Sequence, residues 1–179
     1  MSFKHTLPLL LLLFSCSTDS VENAYSNLPA NFVFRSCASV PQMRAALGAS
    51  PGSFFTVRAT SDNRYIITSN DDLANPYTYL KDAVDQKVSY ICRAGFVIGT
   101  PVMSGTLEAY DLACPNCYRA LVSRPLTFET RTRLACSRCG CVYSLNDASG
   151  ILIEGDGQAK VLMRYHATYD GLNNLSVYN

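Results

Sequence analysis

An all-β domain is the fold that this sequence predicts, and three observations carry the prediction. Short runs rich in Val, Ile, Tyr and Phe recur along the chain, divided by clusters of Gly, Asn, Asp and Pro. Eleven tyrosines and eight phenylalanines, with no tryptophan, suit the pleated, half-buried faces of sheets. Helical periodicity is weak wherever it is sought.

Taken in order, the first strand is predicted at residues 31–34, around Phe32 and Phe34, and a second at 53–59, after Gly52. A third follows at 64–68. Further strands are predicted at 88–91, 96–102 and 107–112, then at 142–145, 151–154, 161–169 and 175–178. Two weak helix candidates remain. Residues 42–47 have Pro41 before them and Gly48 after, and 79–85 lacks a clean apolar stripe. No internal repeat or low-complexity tract interrupts the pattern. The architecture expected is a β-sandwich or barrel carrying two metal loops.

Those loops hold the most specific chemical signal. Cys114 and Cys117 form one CxxC pair, Cys136 and Cys139 another, with residues 118–135 between them. Two such pairs supply the four thiolates of a tetrahedral soft-metal site, each pair folding its backbone amides around one side of the ion.

The front of the chain reads as an export signal. Lys4 and His5 form a small basic region, followed by an apolar run from Leu7 to Phe14. A membrane-spanning helix needs about 20 apolar residues, so this run is too short. It ends in Leu13, Phe14, Ser15 and Cys16, which resembles the lipobox of bacterial lipoproteins. The resemblance implies a signal peptide over 1–15, acylation of Cys16 and a polar tether over 16–29. The alternative is an ordinary secretory signal with an incidental cysteine. Several acyl chains on Cys16 would anchor the protein to a membrane of the bacterial cell envelope without a transmembrane helix. Ser17, rather than aspartate, after the anchor favours the outer membrane.

Charge excludes one class of partner. The whole chain has 15 basic and 14 acidic side chains. Removal of Lys4 with the signal leaves the remainder formally neutral, without a basic patch or arginine stripe for nucleic acid.

Around the cysteines the sequence resembles Rieske-type domains. The residues from Ala109 to Pro115 resemble the run into the first cluster loop, and those from Cys136 to Leu145 resemble the second loop, with Gly150 after it. The stretch from Tyr90 to Gly99 is similar to the strand before those loops. The tail from Leu162, with Tyr165, Tyr169, Asp170, Gly171 and Val177, resembles the closing hairpin of Rieske-like lipoproteins of Bacteroides-type bacteria. The resemblance covers residues 30–179. It implies a Rieske-like β-sandwich with a small metal-binding subdomain of two rubredoxin-like knuckles. It also implies that Cys141, where serine is usual, and Tyr143 tune the site by hydrogen bonds; Cys141 packing beside the site is the leading reading, an alternative ligand or a disulfide partner the others.

The departures from that pattern decide the chemistry. A Rieske centre takes one cysteine and one histidine from each loop. Here Asn116 and Cys139 occupy the histidine positions, and the only histidine after the leader, His166, lies in the last strands. A histidine-ligated, high-potential cluster cannot form. Four cysteines suit a structural zinc, the leading expectation, because zinc needs no assembly machinery outside the cytoplasm. A single iron, a 2Fe-2S cluster with four cysteine ligands, or disulfides joining Cys114 to Cys136 and Cys117 to Cys139 remain alternatives.

Other residues yield weaker signals. Cys37 and Cys92 are a candidate disulfide or two buried thiols. The CxxC pairs are expected to lack the following helix that lowers a thiol pKa in redox enzymes. Asn70, Asp71 and Asp72 read as a loop, Glu154 to Asp156 as a turn, and Arg131 and Arg133 as solvated charges. No catalytic constellation emerges, and His166 has no visible partner for acid–base work. The two function classes are a lipid-anchored binding or structural module with a structural metal, and an electron-transfer protein; the sequence names no protein partner for either.

Overall fold

In this computed structural model, residues 25–82 and 94–179 are described. The expected signal peptide, Cys16, most of the tether, the strand at 88–91 and Cys92 lie outside the described residues. Twelve strands are described: β1 (Asn31–Phe34), β2 (Ser53–Ala59), β3 (Arg64–Ser69), β4 (Asp72–Leu80), β5 (Phe96–Thr100), β6 (Glu108–Asp111), β7 (Thr127–Thr130), β8 (Arg133–Ala135), β9 (Val142–Ser144), β10 (Leu152–Glu154), β11 (Arg164–Tyr169) and β12 (Leu175–Tyr178). Among the described residues two α-helices, α1 (Pro41–Leu47) and α2 (Pro115–Arg119), and a 3-10 turn at Cys37–Ser39 join them. No helix among the described residues is long and apolar enough to cross a membrane.

The strands make two antiparallel sheets. The larger has eight strands in the order β1-β12-β11-β6-β5-β2-β3-β4, the smaller four in the order β10-β9-β8-β7. The large sheet curls until its ends meet across the core. Phe34 of β1 packs against Tyr79 of β4 with ring centroids 4.7 Å apart. Phe32 lies edge-on to Tyr65 of β3 at 5.6 Å. Helix α1 packs into this core through buried Met43 and Ala46, started by Pro41 and closed at Gly48, whose N–H bonds to the Arg44 carbonyl at 2.8 Å.

Alternation along the strands explains how one sheet serves two cores. Phe55 and Val57 of β2, Phe96 and Ile98 of β5 and Ala109 of β6 point into the curl. Phe54, Val97 and Tyr110 of the same strands point outward, yet all are buried. The smaller sheet covers them with Leu134, Tyr143 and Leu145. Burial of each such large side chain stabilises by about 1.5–3 kcal/mol, so this outward face is a second core and not a solvated surface.

Polar contacts reinforce the seam. Buried Asn70, in the β3–β4 turn, accepts from the Phe54 N–H at 3.0 Å and donates to the carbonyls of Gly52 and Arg131. Arg131, in the β7–β8 turn, pairs with Asp71. The two arginines expected as solvated charges are therefore ion-paired, Arg133 with Glu129 and Glu154. Asn70 is a buried bridge and not merely a loop residue. Glu154 ends β10 beside Gly155, which takes a φ of 93° as the expected turn requires.

Several boundaries differ from the sequence expectation. Tyr79 and Leu80 belong to strand β4, and residues 83–85 of the helix expected at 79–85 lie outside the described residues. β4 escaped notice because Asn75 and Pro76 interrupt it, and among the described residues it pairs only with β3, an edge position where proline costs no ladder bond. β5 stops at Thr100 because Pro101 follows. The strand expected from 161 begins at Arg164, since Leu162 N–H is taken by the Gly150 carbonyl.

Candidate metal centre

The smaller sheet and its connections build the cysteine site. The first loop leaves β6 through Asp111, whose carboxylate accepts from the Ala113 N–H at 2.8 Å. Cys114 N–H then bonds to the Arg124 carbonyl at 2.7 Å, which pins the loop back on itself before β7. Cys114 caps the five-residue helix α2, and Pro115 fits its first position, where no N–H is needed. This one-turn helix begins inside the first pair and includes Cys117, and among the described residues no helix follows Cys139. Its N-terminus does not activate Cys114, because burial outweighs the Cys117 N–H directed at the sulfur and pushes the thiol well above its ordinary range.

The second loop joins β8 to β9. Cys136 N–H bonds to the Cys141 carbonyl at 2.9 Å, and Gly140 N–H to the Cys136 carbonyl at 3.0 Å. Gly140 has a φ of 70°, a left-handed conformation that glycine adopts without penalty, and this lets the chain reverse between Cys139 and Cys141.

The two loops bring Cys114, Cys117, Cys136 and Cys139 together. All four sulfurs lie within 4.8 Å of one another. Cys114 and Cys139 are 3.6 Å apart, Cys117 and Cys136 3.7 Å. A zinc–sulfur bond of about 2.3 Å in tetrahedral geometry places ligand sulfurs about 3.8 Å apart, so the donor set fits one metal ion. A disulfide needs about 2.04 Å, and all four are free thiols. No histidine belongs to the group. His166 instead stacks with Tyr25 and Tyr178 at ring-centroid distances of 3.6 and 5.3 Å.

The environment divides the thiols. Burial and the neighbouring Cys136 side chain raise Cys117 to about 11. Burial likewise raises Cys139, but hydrogen bonds from the Cys141 N–H and from the Cys141 and Asn116 side chains outweigh it and lower the thiol to about 6. Cys139 is also the only one of the four not fully buried. Cys141 is raised to about 11, chiefly by burial and by its contact with Cys139.

A third segment, residues 155–160, closes over this corner. Gln158 N–H donates to the Asn116 side-chain Oδ1 at 3.1 Å, and the Tyr143 hydroxyl donates to the Ala159 backbone carbonyl at 3.1 Å. Burial beside the thiols pushes the Tyr143 hydroxyl far above its usual range. Gly157 lies so near that a Cβ there would sit 2.7 Å from Cys141 Sγ. Sequence reading found Cys141 and Tyr143 but missed Asn116 as a donor and Gly157 as the covering residue. The closely spaced Gly155 and Gly157 were the available signal.

Cys37 is buried in the main core, where desolvation and the Asp170 carboxylate raise it to about 12. Its expected partner Cys92 lies outside the described residues. Comparisons with protein-family models, with curated proteins and with solved structures find no match for this chain.

Proposed function

We propose that the four cysteines hold one structural zinc ion in a Rieske-like protein anchored by lipid at Cys16 to the bacterial cell envelope, on the outer membrane. The observation that carries the metal is the set of four buried or half-buried sulfurs within 4.8 Å. Four protein thiolates leave no open coordination position, which suits a structural role and not catalysis. When bound, zinc would cross-link the β6–β7 and β8–β9 connections, the two loops that read as rubredoxin-like knuckles. The surrounding N–H groups and the Asn116 amide would stabilise the thiolates.

A single iron in the same set is the second reading, favoured by the partial exposure of Cys139, which gives one ligand sulfur an edge facing a redox partner. A two-iron cluster is the poorer fit, because each iron takes one pair of thiolates and the width of the cluster separates the pairs.

Elemental analysis of the purified protein tests both readings. Near one zinc per chain and no visible absorption are expected. Iron at unit stoichiometry with visible charge-transfer bands establishes the electron-transfer reading instead. Fatty-acid labelling that is lost in Cys16→Ala tests the anchor separately.

A further inference from the structure

The chain enters the domain through a clasp on β11. Tyr25 forms a parallel bridge with Arg164, and Ser26 N–H bonds to the Arg164 carbonyl at 2.7 Å. The Tyr25 ring stacks on His166 at 3.6 Å, and the Arg164 guanidinium lies over it at 4.9 Å. Arg164 is itself held in place, because Glu108, 3% exposed, accepts from its Nε and Nη2 at 2.7 Å each. Tyr178 of β12 extends the stack, 5.3 Å from His166. Tyr25 and Tyr178 are nevertheless 39% and 41% exposed. The other outward residues of β1, β12 and β11 include no carboxylate and no lysine.

We propose that the clasp turns this face, around Tyr25, His166 and Tyr178, onto the lipid headgroups of the membrane that carries the Cys16 anchor. The inference rests on the anchor reading above. Nine residues, 16–24, separate the acylated end from the clasp. Fully extended they reach about 30–32 Å. A compact domain of this size has a radius of gyration of about 15 Å, and so a diameter of about 39 Å. The opposite side therefore cannot lie on the membrane, since the tether would have to cross the whole domain. Without the clasp the first holds are Leu28, which packs on the main core, and the Ala30 N–H bond to Asn179 Oδ1 at 3.1 Å. A tether ending there reaches about 40–50 Å, enough to let the domain roll over. Tyrosine rings suit the headgroup level, with the apolar body towards lipid and the hydroxyl in water. The smaller sheet covers Phe54 of β2 and Val97 of β5, across the curl from β12, so the cysteine loops stand on the side away from lipid.

The sequence makes the test direct, because it contains no tryptophan. Protein purified from its own membrane is placed in phosphatidylcholine vesicles with a nitroxide on the headgroup, which quenches a nearby indole. Tyr178→Trp is expected to be quenched about threefold more strongly than Thr127→Trp, on the β7 edge of the smaller sheet. Adding Tyr25→Ala to each is expected to erase most of that difference, while the protein still floats with the vesicles. Equal quenching at positions 178 and 127 in acylated protein overturns the proposal, as does a difference that survives Tyr25→Ala. An N-terminal peptide whose mass shows no acyl group on Cys16, from protein that does not float, refutes the anchor reading, and the proposal falls with it.

Discussion

Cys114 Sγ and Cys139 Sγ stand 3.6 Å apart, although 25 positions separate them in the chain and they hang from different loops. Nothing local enforces that approach. It follows from the packing of the smaller sheet on Phe54, Val97 and Tyr110, which fixes where β6 ends and β8 turns. The site is thus a product of the second core, and its integrity and that of the core are linked.

That linkage predicts the effect of ligand loss. A structural zinc in a small domain contributes about 10–16 kcal/mol of binding free energy at neutral pH, drawn on during folding. Cys114→Ser is expected to abolish metal binding and to lower the melting temperature by as much as a strong chelator lowers that of the wild type. Chelator is expected to produce no further drop in the variant. A variant that keeps both its metal and its melting point would refute the ligand assignment.

Metal-loaded and metal-free protein should respond to pH in opposite directions. Cys117 has its thiol raised to about 11, and Cys114 is raised further, so both are protonated at neutral pH without metal. Metal binding then releases at least these two protons, and affinity rises by about a hundredfold per pH unit below the thiol range. For the metal-free chain the sign is reversed. A raised folded pKa gives stability that is present below the unfolded value near 8.5 and lost as pH climbs through about 11. Melting curves from pH 6 to 10, with and without chelator, are expected to diverge as the pH rises.

Much of the core was legible in the sequence because its strands announce themselves with uninterrupted apolar residues. Phe32 and Phe34 of β1, Phe54 to Val57 of β2 and Phe96 to Ile98 of β5 are examples. The four-cysteine group was legible because CxxC spacing is a local pattern. What stayed hidden is set by distant contacts. β7 and β8 have few buried residues of their own, with only Leu134 fully buried, and they are strands because they pair with each other and with β9. Arg131 and Asn70 are 61 positions apart, and neither residue type signals that the two turns meet.

Asn70 supplies the next prediction. Its side chain satisfies the Phe54 N–H and the carbonyls of Gly52 and Arg131, in a position where water has little access. Asn70→Ala leaves these three groups unpaired at a cost of about 1–3 kcal/mol each; water reaching the turn carbonyls offsets part of this, so a loss of about 2–4 kcal/mol is expected. Denaturant unfolding measures it. Metal content is expected to remain at the wild-type level in the folded fraction, because the thiol loops lie elsewhere on the small sheet.

Asp170 organises the β11–β12 turn and should make that turn sensitive to acid. Its carboxylate accepts N–H bonds from Leu172, Asn173 and Asn174 at 2.8–3.0 Å, and these hold its pKa down at about 2. A depressed folded pKa means that the stabilisation is present above the unfolded value near 3.9 and fades as pH falls towards 2. The carboxyl carbon shift of Asp170 is expected to titrate near 2, with the Asn173 and Asn174 amide signals moving at the same midpoint. Asp170→Asn keeps one acceptor oxygen and removes the charge, so it should retain the turn while erasing that shared titration. If the amides of the variant still move at the wild-type midpoint, another group controls the turn.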